Sequence, residues 1–229
     1  TTPATNLTCL APDSSVNIVA SGGNKYVFNN GSTYDDTLTY GLYNGTYNLT
    51  GIPYNHPIAF LNKDVSNVIS YSSTRVVFDI IVSGGNFNDP YYTFGPDINV
   101  SGFNFIPGYT YRFTGNNISN SHPFYISDVG RNQQSTELTF TGNGSYNSGI
   151  TGTQSFEMTI PYNYTKSSIT YYCVAHSSMV KTKSVVSTLV NGNYYNFYSG
   201  TVTLTVSGDF TNISAYCLYH GYMGAQNKF

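Results

Sequence analysis

Apolar and polar residues alternate with a period of two along most of the chain. The stretches YTYRF (109–113), FEMTI (156–160) and VTLTV (202–206) show this alternation, and Gly, Pro and Asn clusters separate such stretches. This period predicts short strands with one buried face. No segment keeps apolar residues at helical spacing beyond two turns. The pattern therefore predicts an all-β protein, with strands at the spacing typical of sandwiches and barrels.

Two sequence patterns each occur twice, in an order that predicts nested domains. The front pattern is IVASGGNKYVF at 18–28 and IIVSGGNFNDPYYTF at 80–94, and each copy leads to a His-Pro dipeptide. The back pattern ends in Cys-x-x-His-x-x-Met, first at 173–179 and again at 217–223. Because both fronts precede both backs, the second front runs directly into the first back. The first front is left to pair with the last back.

We therefore predict that one domain is inserted into another, which is tolerated where chain ends lie close together at a surface. The predicted inserted domain covers residues 76–182, and the outer domain covers 13–75 plus 183–229. Segments 62–75 and 180–190 are the predicted crossings, and residues 1–12 are a predicted N-terminal arm. The alternative organisation is a single large sandwich built from all four parts.

The rare residues of the chain are concentrated in these motifs. All four histidines lie there, with two of the three cysteines and two of the three methionines. Two imidazoles and a thiolate, with a long and weak thioether bond, are the ligands of a blue-copper site. Two other interpretations stay open. The Cys and His residues could pack in a metal-free core, or Cys173 and Cys217 could form a disulfide, which the repeat disfavours because it assigns them to different domains.

The pattern His-Pro … Tyr-Cys-x-x-His-x-x-Met, on an all-β chain with Gly-Tyr strands, resembles the cupredoxin family. The resemblance covers most of the chain in two copies and implies two Greek-key β-sandwiches that bind copper. The implied copper ligands are His122, Cys173, His176 and Met179 in the inserted domain, and His56, Cys217, His220 and Met223 in the outer domain. The Cys-to-Met loop is at the short end of the family's range. The long gap between His56 and Cys217 departs from the family pattern.

Charge and composition exclude several function classes. Charged residues make up 9% of the chain, the net charge is −2, and no basic run interleaves with aromatic residues, which excludes nucleic acid as a partner. No apolar run reaches the roughly 20 residues that span a bilayer. Hydrolase motifs and the His-x-His motifs of multicopper oxidases are absent, and Asp35-Asp36 is typical of a turn. We predict that the protein is not an enzyme.

N-glycosylation sequons indicate an extracellular protein that carries N-linked glycans. Several fall in Gly-containing turns, where an acceptor is exposed, although a chain rich in Asn, Ser and Thr also produces sequons by chance. The start without Met is typical of a processed mature chain. The acceptor residues are Asn6, Asn30, Asn44, Asn48, Asn99, Asn117, Asn143, Asn163 and Asn212.

Two hypotheses about function follow. The first is a structural subunit of an extracellular filament or surface assembly, a homopolymer in which the arm, leading into SSVNIVASG (14–22), adds a strand to a neighbour's sheet edge. Sparse charge, 23 tyrosines and dense sequons favour it, and this character is similar to archaeal N-glycosylated thread-type filament subunits. The second is a secreted blue-copper electron carrier with one or two sites.

The remaining Cys9 is expected in an intermolecular bond, as a free thiol, or buried in a strand.

Overall fold

The computed structural model describes residues 6–74, 77–96, 98–99 and 102–229. These residues form two compact units. The outer unit consists of the described residues up to Thr74 together with Val190–Phe229, and the inner unit consists of the described residues between them, up to Leu189. In the described ranges, the one helical segment is a 3-10 turn at Lys63–Val65. The prediction of an all-β protein is confirmed, and no helix in these ranges is long and apolar enough to cross a membrane.

Twenty strands are defined in the described ranges, most of them short. The chain first forms β1 (Asn6–Cys9), β2 (Asp13–Ser15), β3 (Asn17–Ala20), β4 (Asn24–Val27), β5 (Leu38–Gly41), β6 (Gly45–Ile52), β7 (Ile58–Phe60) and β8 (Ile69–Ser73). The inner unit then contributes β9 (Val77–Gly84), β10 (Tyr92–Gly95), β11 (Thr110–Gly115), β12 (Phe124–Ser127), β13 (Thr139–Gly142), β14 (Ser155–Thr159), β15 (Ser168–Cys173) and β16 (Val180–Ser184). The last strands are β17 (Leu189–Val190), β18 (Asn193–Tyr194), β19 (Gly200–Val206) and β20 (Ala215–Cys217).

The outer unit is organised around a four-stranded sheet in the order β2-β6-β19-β8. Strands β6 and β19 are antiparallel and alternate inward and outward, so Leu49 and Leu204 are fully buried. The pairs β1-β5, β3-β4 and β7-β20 also belong to the unit, and β17 pairs with β18 where the chain re-enters it. Part of its core is aromatic: the Phe229 ring lies 4.9 Å from Phe28 and 5.6 Å from Phe60, both edge to face.

The inner unit has a five-stranded sheet, β10-β9-β11-β14-β13, and a three-stranded sheet, β12-β15-β16. Phe113 of β11 and Phe156 of β14 stack on each other with ring centroids 5.3 Å apart. Both also contact Phe124 of β12, at 6.0 Å and 6.2 Å. Aromatic side chains from the two sheets therefore meet in one core, which places the start of β12 against the larger sheet.

The segments predicted as crossings contain strands instead. Strand β8 lies within 62–75 and pairs with β19, and β16 lies within 180–190 and pairs with β15. The predicted boundary between residues 182 and 183 falls inside β16, and the inner unit continues to Leu189. Both strands are sheet edges, so they present Ser and Lys to solvent. That polar face explains why the sequence pattern does not indicate strands in the two predicted crossings.

The predicted N-terminal arm is paired within its own chain over its described part. Strand β1 runs parallel to β5, with Asn6 opposite Leu38 and Cys9 opposite Gly41. Leu10 follows in the core, with 3% of its surface exposed. Residues 1–5 of the arm lie outside the described residues.

A buried carboxylate fixes the loop that follows β12 in the inner unit. Asp128 accepts backbone N–H bonds from Thr136 (2.9 Å) and Glu137 (2.8 Å), and its Oδ2 lies 3.1 Å from Lys166 Nζ. Burial acts against ionisation, but these backbone bonds and the ammonium group together hold the pKa of Asp128 below its ordinary value. The loop thus depends on the ionised carboxylate.

We expect Asp128→Asn to destabilise the inner unit by about 2 kcal/mol, because it weakens hydrogen bonds made to a charged group. Since the folded-state pKa is lowered, this contribution is present above the ordinary aspartate pKa of about 3.9 and is lost as the pH falls through the folded-state value. Hydrogen exchange of the β12 and β14 amides measures the change in stability of the inner unit separately from the outer unit. Asp209→Asn, at an exposed position in the outer unit, is the control and should leave those amides unchanged.

Candidate metal centres

One strand pairing in each unit brings a His-Pro dipeptide next to a Cys. In the inner unit β12 is antiparallel to β15, with Phe124 opposite Cys173. In the outer unit β7 is antiparallel to β20, with Ile58 opposite Cys217. The residue opposite each Cys directly follows the His-Pro dipeptide. The upstream His is therefore two residues from the position that faces the thiol.

Backbone hydrogen bonds fix both ends of each dipeptide. The His56 N–H donates to Pro53 O at 3.0 Å, and the His122 N–H donates to Ser119 O at the same distance. After the proline, Pro57 O accepts from the N–H of Leu218 (3.1 Å). Pro123 O accepts from the N–H of Val174 (2.9 Å). Each unit therefore holds its upstream His with the same backbone hydrogen bonds, although the sequence between the upstream His and the Cys differs in the two units.

The predicted ligands converge in both units. His122, Cys173 and His176 form one cluster and His56, Cys217 and His220 the other, each with its ligand atoms within 4.8 Å of one another. In the inner cluster Cys173 Sγ lies 3.4 Å from His176 Nδ1. In the outer cluster Cys217 Sγ lies 3.6 Å from His220 Nδ1 and 3.9 Å from His56 Nδ1.

These separations fit a bound metal ion. Metal–N bonds of about 2.0 Å and metal–S bonds of about 2.3 Å, arranged in a trigonal plane, require N···S separations of about 3.7 Å. The three measured N···S separations are 3.4, 3.6 and 3.9 Å. In addition, His122 Nδ1 is buried without a hydrogen-bond partner among the described residues. A buried imidazole nitrogen of this kind needs a ligand, and a cation would supply one.

The two Cys-to-Met loops have equal length but close differently. In the inner loop the Cys173 N–H donates to Met179 O at 2.9 Å. In the outer loop Cys217 and Gly221 exchange backbone bonds of 2.6 and 3.1 Å, and Met223 has φ +46°. Both methionines are buried. Their role as axial ligands stays a prediction.

The two clusters also differ in what covers them. The Phe87 ring lies edge to face with His122 (4.9 Å) and His176 (4.8 Å), although 62% of its own surface is exposed. Phe87 begins a stretch, FNDP, that the corresponding outer sequence lacks. In the outer cluster His220 is exposed. Both inner histidines are therefore half-buried beside an aromatic ring, while the outer pair combines a buried His56 with an exposed His220.

The neighbouring imidazoles favour the neutral forms that bind metals. Burial, and then His220, lower the pKa of His56, and burial, and then His176, lower the pKa of His122. The ring centroids are 4.7 Å apart in the outer pair and 4.6 Å apart in the inner pair. A metal ion therefore competes with fewer protons at neutral pH.

The structure bears on the disulfide interpretation and on Cys9. All three cysteines are free, and Cys173 and Cys217 lie in clusters of different units, so the disulfide interpretation is wrong. Cys9 is exposed, which excludes the buried-strand alternative for it.

The acceptor asparagines of all nine sequons are exposed, as glycosylation requires. Many other asparagines are exposed as well, so exposure alone does not identify which acceptors carry glycan.

Sequence analysis missed two kinds of residue beside the clusters. One is Phe87, which a gap in the alignment of the two front patterns could have indicated. The other is a buried tyrosine from each front pattern, Tyr26 and Tyr92, whose hydroxyl donates to the carbonyl of the upstream His. They occupy equivalent places in KYVF and YYTF. Because the chain contains 23 tyrosines, two matching tyrosines do not stand out in the sequence.

Comparison with known proteins gives no relative to add to this geometry. No protein-family model matches the chain, and no match was found among curated proteins or solved structures. The resemblance to cupredoxins therefore stays a prediction from the repeated sequence motif.

The lowered histidine pKa values predict that the metal-free protein loses stability as the pH falls below the unfolded-state histidine value of about 6.5. Both states are neutral above that pH, and below it the unfolded chain takes up protons before the folded one does. Thermal unfolding with a chelator at pH 7.5 and pH 5.5 measures the loss. The variant His56→Gln/His122→Gln should show a smaller pH dependence than the wild type, and equal dependence would contradict the assignment.

Proposed function

We propose that the protein binds copper in two cupredoxin-like centres, one in each unit. The observation that carries the proposal is the duplicated convergence of two imidazoles and one thiolate, with ligand atoms within 4.8 Å of one another in each cluster, built from the same repeated sequence. This donor set suits copper because thiolate binds Cu(I) well and imidazole binds both oxidation states. His56, Cys217 and His220 would hold one ion, and His122, Cys173 and His176 the other.

The fold around the clusters supports a one-electron role for such an ion. Both cysteines are fully buried, and each lies at the end of a strand that pairs with the strand following the upstream His-Pro dipeptide, over four residues in the inner unit and three in the outer unit. A rigid donor set changes little between the two oxidation states of copper, which is what electron transfer requires. We therefore propose cupredoxin-like Greek-key sandwiches as the finer description of the two units.

We expect the protein to bind two equivalents of copper and, with Cu(II), to show an intense visible thiolate-to-copper absorption band. Cys173→Ser and Cys217→Ser should each remove one equivalent and the corresponding share of the band, because each removes the only thiolate of one cluster. Cys9→Ser is the matched control, since Cys9 is exposed and belongs to neither cluster. A wild-type protein without the band would reject the proposal.

A second proposed role is assembly into an extracellular, N-glycosylated filament or surface layer by exchange of β1 between copies. One observation favours it: β1 is a four-residue edge strand that lies mostly at the surface, with Leu7 74% exposed beside a groove lined by Leu42, Tyr43 and Phe210. An identical strand from a second copy would make the same bonds with β5, as in domain swapping. The exposed sequon asparagines agree with glycans on such a surface.

The variant Gly41→Cys tests strand exchange. Gly41 is the partner of Cys9 in the β1–β5 register, and a Cβ at Gly41 meets nothing closer than 3.5 Å. A disulfide between Cys9 and the introduced cysteine would lie within one chain in a monomer and between chains in a strand-exchanged polymer. Under non-reducing electrophoresis of native assemblies we expect a ladder of linked chains, which Gly41→Ser does not give. Links confined to single chains would reject exchange.

A further inference from the structure

Each metal-site cluster is accompanied by one buried tyrosine from the front pattern of its unit. Tyr26 lies at the end of β4 and Tyr92 at the start of β10, with 3% and 0% of their surfaces exposed. A buried phenolic hydroxyl needs a hydrogen-bond partner, and the choice of partner shows which groups it orders.

Both hydroxyls form hydrogen bonds with the backbone of the His-Pro dipeptide in their own unit. Tyr26 Oη donates to His56 O at 2.8 Å and lies 3.4 Å from Pro57 O. Tyr92 Oη donates to His122 O at 2.9 Å and lies 3.4 Å from Pro123 O. The agreement of two independent copies to 0.1 Å indicates a device of the repeat and not a coincidence of packing.

We infer that Tyr26 and Tyr92 are positioning residues, each fixing the backbone of the upstream His so that its imidazole meets the Cys thiolate. The inference rests on the proposed copper binding. The dipeptide is then held at three points: the His N–H in its turn, the His carbonyl by tyrosine, and the Pro carbonyl by the residue after the Cys. A residue before proline already has restricted backbone angles, and these bonds select one conformation.

The test uses Tyr26→Phe and Tyr92→Phe, which delete one oxygen and keep the ring in the core. Each Phe variant is measured in two backgrounds. Cys217→Ser leaves only the inner centre intact and Cys173→Ser leaves only the outer centre intact, so copper binding is measured separately at the variant's own centre and at the other centre. Tyr47→Phe and Tyr164→Phe are matched controls, because these buried hydroxyls donate to backbone carbonyls away from the clusters, at Tyr43 (3.0 Å) and Ser168 (3.1 Å). Copper affinity is measured by competition with a chromophoric Cu(I) chelator, and thermal stability is measured on the metal-free protein.

We expect each site variant to weaken Cu(I) binding about 10- to 100-fold at its own centre only, the range typical of lost outer-sphere partners of metal ligands. The Cu(II) absorption band of that centre should shift, while thermal stability falls no further than in the controls. If the wild type binds copper and the site variants match Tyr47→Phe and Tyr164→Phe in affinity and spectrum, the tyrosines are only core residues and the inference fails. A wild type that binds no copper would overturn the proposed function itself.

Discussion

The antiparallel pairing between the strand after His-Pro and the strand that ends in Cys is the constraint on which both centres depend. It sets Phe124 opposite Cys173 and Ile58 opposite Cys217, and the ladder bond from the next residue to the proline carbonyl locks that register. A slip of one residue would turn the thiol to the opposite face of the strand and separate it from both imidazoles. Register and ligand geometry are therefore one property of the fold, and the buried aromatic residues that fix the sheets also fix the site.

Because the order of the chain is nested, the two paired strands are close together in sequence in one unit and far apart in sequence in the other. His122 and Cys173 belong to one continuous segment, whereas His56 and Cys217 are 161 residues apart. The entropy of closing a loop grows only slowly with its length, so the longer separation adds little to the equilibrium cost of the outer centre. The longer separation instead lowers the folding rate of the outer unit, because strand pairings between residues distant in sequence form late. An ion bound only by the folded outer unit would stabilise it by mass action.

The convergence of the Cys and His residues could be predicted from the sequence because rare residues at a repeated spacing leave few alternatives, and the all-β class because alternation is a strong signal. Other features could not be predicted, for physical reasons. Strands β8 and β16 are polar edge strands, so their Ser and Lys residues do not show the alternation that predicts a strand. Tyr26 acts through its hydroxyl on a backbone carbonyl, and a main-chain partner leaves no trace in sequence. The covering position of Phe87 depends on how the FNDP stretch folds, which composition does not determine.

Equal ligand sets do not make the two centres equivalent, because their surroundings differ. In the inner unit the Phe87 ring contacts both half-buried histidines, and the Arg131 guanidinium donates to the carbonyls of Cys173 (3.0 Å) and Val174. In the outer unit His220 is exposed and the loop is closed by its own backbone at Gly221. A copper–thiolate group carries one positive charge less when reduced, so a nearby cation favours the reduced ion. With Arg131 beside the Cys173 carbonyl, a copper ion in the inner centre would hold an electron more tightly than one in the outer centre. A chain that repeats one motif in two environments can thus contain two different redox centres without any change of ligand.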